Sequence, residues 1–437
     1  MDTELIGILV ILFVFILMFF RVPIAISMAI PACIGVIYLK DLGALISVVN
    51  SIVWDQGYNY TLLTVPLFVL MGHLLYSAGI SSELFTTFRL WFGKFKGGLG
   101  LATIGSSAMF GASTGSSLAT TGTMGVIATK EMLQAGYDKS LTGGSIVAGG
   151  TLGILIPPST TFIIYGMITE QSIGKLLLAG ILPGILLTIL FMITIYLAVT
   201  FKPSLVAASA EEYEVSWKER FISLKSNLPI VLLFIVVIGG IYLGIFTVTE
   251  SAGVGAFGAF IIGITRRKMN MKNFKEALFN TITTTGFLFA IIIGAFILNY
   301  VLVITRIPYI LADLLTASEL SPTMIFILIV CMYIILGALM DTIAMLVVTV
   351  PIILPIVDML GFDLIWFGVI IVLLIEMALI TPPVGMNCFV LNGVTDQLTL
   401  SEIFKGALLF VIPILVLIIL IYIFPEIALF IPNNAFG

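Results

Sequence analysis

FGASTGSSLATTGTMGVI at residues 110–127 and GGTLGILIPPSTTFIIYG at residues 149–166 lie between strongly apolar segments. Both are too rich in Gly, Ser and Thr for helices that face only lipid, so something other than lipid must contact them. Pro157-Pro158 cannot continue a helix, because neither ring supplies an N–H and both clash with the preceding turn. The backbone must break there, and groups freed at membrane depth need partners.

The pattern returns, more weakly, as LGALMDTIAMLVVTVPII at 336–353 and IEMALITPPVGMNCFVLNG at 375–393. Gly111-Ala112 falls on Gly337-Ala338, Thr123 on Thr349, and Pro157-Pro158 on Pro382-Pro383; Gly-Ala and Pro-Pro are 46 residues apart in the first copy and 45 in the second. That spacing argues for a duplicated unit. Broken helices at matching places in two halves point to a transporter's binding site. Half-helix ends supply N–H groups for an anion. Unwound carbonyls with Ser and Thr hydroxyls supply hard oxygen ligands that suit sodium.

With 437 residues, 60% of them hydrophobic and 10% charged, and a mean hydropathy of +1.24, the chain is a polytopic helical membrane protein rather than a water-soluble globule. The net charge of −4 decides little, because placement of the charges matters more than their sum. Cys33, Cys331 and Cys388 lie in apolar segments without metal-ligand spacing and read as small buried hydrophobes. The opening MDTELIGILVILFVFILMFFR has an acidic rather than a basic flank and reads as a retained first span.

Apolar windows of crossing length fall near 5–20, 23–39, 61–79, 140–168, 176–200, 228–246, 250–265, 278–304, 363–393 and 405–424, and residues 97–126 and 321–356 read as hairpins that enter and return. The expected organisation is scaffold spans at 1–80, an amphipathic cytoplasmic arm at 81–98 and a first transport repeat at 99–200. A cytoplasmic linker at 201–227 leads to scaffold spans at 228–304, an outer arm at 305–321 and a second transport repeat at 322–437. With both termini outside, sixteen of the nineteen basic residues fall inside and only Lys40, Lys175 and Arg306 outside. The two hairpins then open to opposite sides, so the halves are inverted.

Two motifs invite other readings. Gly111-Ala112-Ser113-Thr114-Gly115 fits the G-x-S-x-G of a hydrolase, and with the single histidine, His73, it raises an intramembrane serine protease. The second copy has no Ser at the equivalent place, and His73 reads as a packed residue of the third span. Gly253-Val254-Gly255-Ala256-Phe257-Gly258 satisfies a dinucleotide fingerprint but lacks its βαβ context, so close helix packing explains it. No phosphate loop occurs, and neither nucleic acid nor ATP is an expected partner. Asp341 and Glu376 are costly facing lipid, about 2.5–3.5 kcal/mol or more each at the bilayer centre, and must face protein, water or a cation.

GASTGSS, GGTLGILIPPST and ITPPVGMN make nearly the whole chain resemble the large membrane subunit of the tripartite ATP-independent periplasmic (TRAP) transporters. The resemblance implies an all-α fold of the ion-transporter-superfamily type: inverted repeats, each with a re-entrant hairpin and a discontinuous helix, working as an elevator. It implies no enzyme but a sodium-coupled permease of the bacterial inner membrane. The cargo would be a small organic anion, and at least two sodium ions would be the coupling cofactors. A small membrane (Q) subunit and a periplasmic substrate-binding (P) protein would be separate chains. Carried over by matching positions, one cation site would use Gly111, Ser113 and Ser116 with the carbonyls around Gly153, Ile156 and Pro157. The other would use Gly337, Ala378, Thr381 and Val384, with Ala378 where the first has Gly153 and without the Ser cluster. The anion would lie near Thr114, Ser159, Thr160, Asp341 and Asn387. A stand-alone sodium/dicarboxylate carrier is the main alternative.

Overall fold

The computed structural model describes residues 2–207, 216–318, 320–337, 340 and 342–436. Among them there is no strand. In chain order the helices are α1 (Thr3–Phe19), α2 (Ile24–Leu39), α3 (Leu42–Gly57), α4 (Thr64–Ser77), α5 (Ile80–Phe92), α6 (Gly98–Thr114) and α7 (Ser117–Gln134). Next come α8 (Lys139–Leu155), α9 (Thr160–Ile168), α10 (Ile173–Ala179) and α11 (Ile181–Phe201). Beyond the linker follow α12 (Trp217–Tyr242), α13 (Val248–Thr265), α14 (Met271–Ile304), α15 (Ile307–Ala317), α16 (Pro322–Gly337) and α17 (Thr342–Met359). The chain continues with α18 (Leu364–Ile380), α19 (Met386–Val394), α20 (Leu400–Ile423) and α21 (Glu426–Phe436).

Seven helical segments are long and apolar enough to cross a membrane, and α8 with α9 makes an eighth, bent by 44°. The protein is a multi-pass membrane protein. Polar side chains start several of these helices. Thr247 with Glu250 and Thr399 with Glu402 form capping boxes on α13 and α20. Each glutamate accepts from the threonine backbone N–H and hydroxyl.

The first hairpin is set by its tip. Gly115 takes a left-handed φ of 62°, and Ser116 caps α7 by accepting from the Ala119 N–H at 3.3 Å. The limbs α6 and α7 therefore run antiparallel: Thr114 and Thr120 hydroxyls meet at 3.2 Å near the tip, Thr103 reaches the Met132 sulfur at 3.4 Å, and Leu99 N–H reaches the Tyr137 hydroxyl at 3.1 Å at the base. In the second hairpin the Tyr333 and Thr349 hydroxyls lie 2.5 Å apart, and Met345 packs beside Gly337.

The helices sort into two groups. α1, α2, α4, α12, α13 and α14 pack mainly on one another, while α6 to α11 and α16 to α20 form the second group around α8, α18 and α20. Two short helices bridge them: α5 packs on both α6 and α12, and α15 on both α17 and α14. On its α12–α13 side α5 is held by the Glu83–Arg266 ion pair at 2.5 Å and by the Asn227 amide donating to Thr87 at 2.6 Å; on its hairpin side Arg89 meets Glu131 at 2.7 Å.

The windows at 140–168 and 363–393 each break at their Pro-Pro pair into two helices, as expected. Three local expectations need correction. The hairpin limbs run on to Gln134 and Met359, beyond 126 and 356. α3 and α21 fell outside every window; α3 has no buried residue, so its short apolar stripe never built a crossing-length signal. Cys331 is exposed on α16, whereas Cys388 is buried and Cys33 half-buried.

α8 crosses α20 at Gly144 and Gly406, where a Cβ on either glycine would run into the other helix's backbone. Gly406→Val should therefore destabilise the protein by about 1–3 kcal/mol or more, as overpacking does. Thermal unfolding of purified protein in detergent checks this, with Gly253→Val, which meets open space, as the neutral comparison.

Candidate functional site

At the first break, Ile156 leaves helical geometry with ψ 123°, Pro157-Pro158 follows, and Ser159 restarts the chain as the N-cap of α9. The Ser159 hydroxyl donates to the Ile154 carbonyl at 2.5 Å and accepts from the Phe162 N–H at 3.3 Å. One side chain thus satisfies a group on each side of the gap, as a buried break requires.

The tip of the first hairpin closes over this break. A Cβ on Gly111 would lie 2.7 Å from Gly153 Cα, one on Gly153 would lie 2.9 Å from the Ser116 carbonyl, and one on Gly115 would lie 2.5 Å from the Pro158 carbonyl. Only glycines allow so close a backbone approach. Thr160 donates to the Gly115 carbonyl at 3.3 Å. Ser113 and Thr114 donate to the carbonyls of Met109 and Gly111, at 3.0 and 3.4 Å, and their oxygen lone pairs remain as acceptors. The structure thus gathers Gly111, Ser113, Thr114, Ser116, Gly153, Ile156, Pro157, Ser159 and Thr160 into one tip-and-break unit.

The second break repeats the plan with different chemistry. Thr381 leaves helical geometry with ψ 140°, Pro382-Pro383 follows, and Gly385, at φ 48°, starts α19. Gly337 of the hairpin packs directly on Ala378, the equivalent of the Gly111–Gly153 contact. Ala378 and Val384 line one narrow gap with Met340 and Thr342, and the Thr381 hydroxyl donates to the Ala378 carbonyl at 3.4 Å. Asp341 lies outside the described residues. Pro157 and Pro158 are buried, whereas Pro382 and Pro383 are exposed.

The two units are joined crosswise: α9 packs on α17, and α19 packs on α7. Asn387 of α19 lies fully buried against the first hairpin. Its carbonyl oxygen accepts from the Ser117 hydroxyl at 2.9 Å, and its amide donates to Ser117 at 2.7 Å and to the Val147 carbonyl at 3.3 Å. Ser117 was not picked out from sequence; the only signal was its place beside Ser116. Glu376 is fully buried in α18, and neither carboxylate oxygen has a hydrogen-bond partner among the described residues.

The protease motif has no geometry behind it. Ser113 borders a small cleft with Met71 and Leu75, whereas His73 lines a separate cavity of about 350 Å³ with Ser77, Ser81, Asn273, Glu276 and Asn280. No group of three His, Cys, Asp or Glu able to hold a metal occurs among the described residues. In the fingerprint-like run of α13, Gly255 packs against Met71 and Val237 and Gly258 against Leu233, as close helix packing requires.

Twin hairpins closing on twin broken helices inside an apolar bundle define a membrane transporter class. The family model for the DctM component of the tripartite ATP-independent periplasmic transporters matches residues 9–427, and the chain belongs to that family. It is 35% identical over 383 residues to the C4-dicarboxylate TRAP transporter large permease protein DctM of Pseudomonas aeruginosa, covering 87% of this chain and 88% of the relative. It is 33% identical over 382 residues to the sialic acid TRAP transporter large permease protein SiaM of Vibrio cholerae, covering 87% and 88%. In fold it is similar to the YdaH transporter of Alcanivorax borkumensis, with a TM-score of 0.62 at 12% identity over 90% of this chain and 89% of that one.

Because Ser117 and Asn387 satisfy each other in a buried setting, Ser117→Ala and Asn387→Ala should each cost about 1–3 kcal/mol of stability, the penalty of an orphaned polar partner. The double variant should cost less than the sum, by at least about 0.5 kcal/mol. Thermal unfolding of the four proteins in detergent measures that coupling.

Proposed function

We propose that the protein is the large permease subunit of a sodium-coupled importer of a small organic anion in the bacterial inner membrane. The observation that carries the reading is the pair of broken helices, each met by a hairpin glycine, Gly111 on Gly153 and Gly337 on Ala378. Such a site places acceptor oxygens from two separate segments around one point. A cation bound there ties hairpin to break, and it shifts the conformational equilibrium only through its stronger binding to that closed arrangement.

The first unit supplies hydroxyls of Ser113 and Ser116 and carbonyls around Gly153, Ile156 and Pro157; the second supplies Thr381 and carbonyls around Gly337, Ala378 and Val384. The anion sits near Thr114, Ser159, Thr160 and Asp341, with Asn387 holding the two units together from behind. The relatives' names support a carboxylate cargo, since one is named for four-carbon dicarboxylates and another for sialic acid. In this reading a soluble periplasmic protein delivers the anion and a small membrane subunit completes the complex. Both termini face the periplasm, and the second helix group moves as an elevator against the first, with α5 and α15 as the bracing arms.

Reconstitution with the small subunit and the binding protein tests it. Uptake of a labelled C4-dicarboxylate or sialic acid should follow an inward sodium gradient; sodium-independent uptake rejects the coupling, and uptake without the binding protein favours a stand-alone carrier. Ser113→Ala and Thr381→Ala should each raise the sodium concentration for half-maximal uptake by about tenfold, the loss of one charge-assisted oxygen contact. Asp341→Asn should lower uptake without preventing membrane insertion, and full activity removes Asp341 from the site.

A further inference from the structure

Thr64 of α4 shares a 2.9 Å hydroxyl contact with Thr249 of α13, and Met71 of α4 packs on Gly255 of α13, so α4 is fixed within the first helix group. At Gly72, the residue after Met71, the backbone of α4 meets the tip of the first hairpin. A Cβ on Gly72 would lie 2.9 Å from Thr114 Cα, 3.3 Å from the Thr114 carbonyl oxygen and 3.4 Å from that of Ser113. These are main-chain atoms, which have no rotamer by which to move aside.

The tip has nowhere to retreat. On its far side Gly111 bears on Gly153 and Gly115 on Pro158, again backbone against backbone. Hairpin tip, broken helix and α4 are stacked in series with no side chain between them. Beside the contact, Met71 and Leu75 of α4 and Ile230, Leu233 and Phe234 of α12 enclose a cleft of about 10 Å³ next to Ser113 and Pro158. That is no more than one water needs, so no organic anion enters here while the contact holds.

We infer that Gly72 is the stop on which the first hairpin rests, and that its missing side chain is what permits the conformation with the first break sealed. The inference assigns Gly72 a role in the transport cycle proposed above: it positions the site-bearing tip without itself holding cation or anion. A side chain at this position pushes tip and break away together and disfavours this state against any state in which the tip has left α4.

The test reads conformation rather than uptake. In full-length protein with Cys33, Cys331 and Cys388 replaced, spin labels at exposed Lys268, beyond α13, and exposed Asp396, between α19 and α20, report the spacing of the two helix groups by pulsed electron resonance. Gly72→Val should lower the population at the spacing of this structure by about tenfold or more relative to Gly72, the shift expected from overpacking a rigid contact. Gly286→Val, on α14 where a Cβ meets nothing within 4 Å, should leave the distribution unchanged. An unaltered distribution in Gly72→Val overturns the inference. Should the valine protein not be recovered, Gly72→Ala decides alone: a shift in the same direction supports the stop, and no shift rejects it. Failure of sodium-driven uptake by the wild-type protein removes the functional reading and leaves this spacing result to stand or fall by itself.

Discussion

Backbone polar groups cannot be left bare in hydrocarbon, and every unusual feature of this chain answers to that constraint. A proline pair removes two N–H donors and interrupts the helix where neither water nor lipid can compensate. At the first interruption the protein lays on a hairpin tip built of residues small enough to bring backbone onto backbone, and at the second Gly337 packs on Ala378. Ser159 shows the economy at the first break, since its hydroxyl serves the last turn of α8 and the first turn of α9 at once. The glycines at 111, 115 and 153 matter because each is the point of contact between two segments.

The two copies meet the same constraint with different atoms. Gly111 on Gly153 becomes Gly337 on Ala378, and the added methyl leaves the second contact with less room for backbone approach. The first tip carries serines and threonines whose protons are already given to helix carbonyls, leaving lone pairs outward. The second has Thr381 and main-chain oxygens, and its proline pair is exposed. The plan is shared, but the oxygen-bearing groups at the two breaks differ.

Coupling between the copies runs through the crosswise packing of α9 on α17 and α19 on α7. The buried Ser117–Asn387 pair ties α19, beyond the second break, to the first hairpin. The bridging helix α5 is held by an ion pair on each flank, Glu83–Arg266 and Arg89–Glu131. These pairs are partly exposed and individually weak.

Much of this was written in the order of residues. Crossing-length apolar windows fix a membrane protein, because hydrocarbon thickness sets helix length; two Pro-Pro pairs at equal distance from two Gly-Ala pairs fix two breaks and their repeat, because the ring chemistry of proline acts locally. Helices α3 and α21 escaped, since Asn50, Ser51, Asp55 and Gln56 in the first and Glu426, Asn433 and Asn434 in the second dilute their apolar runs. Likewise Ser117 is one serine among many until folding sets it opposite Asn387, 270 positions away, and Gly72 is an ordinary glycine until α4 meets the tip at Thr114. Local sequence determined where the chain must bend and what it must hide; only tertiary packing decided which distant backbone covers each bend, because that choice depends on close approach between segments that no stretch of sequence contains together.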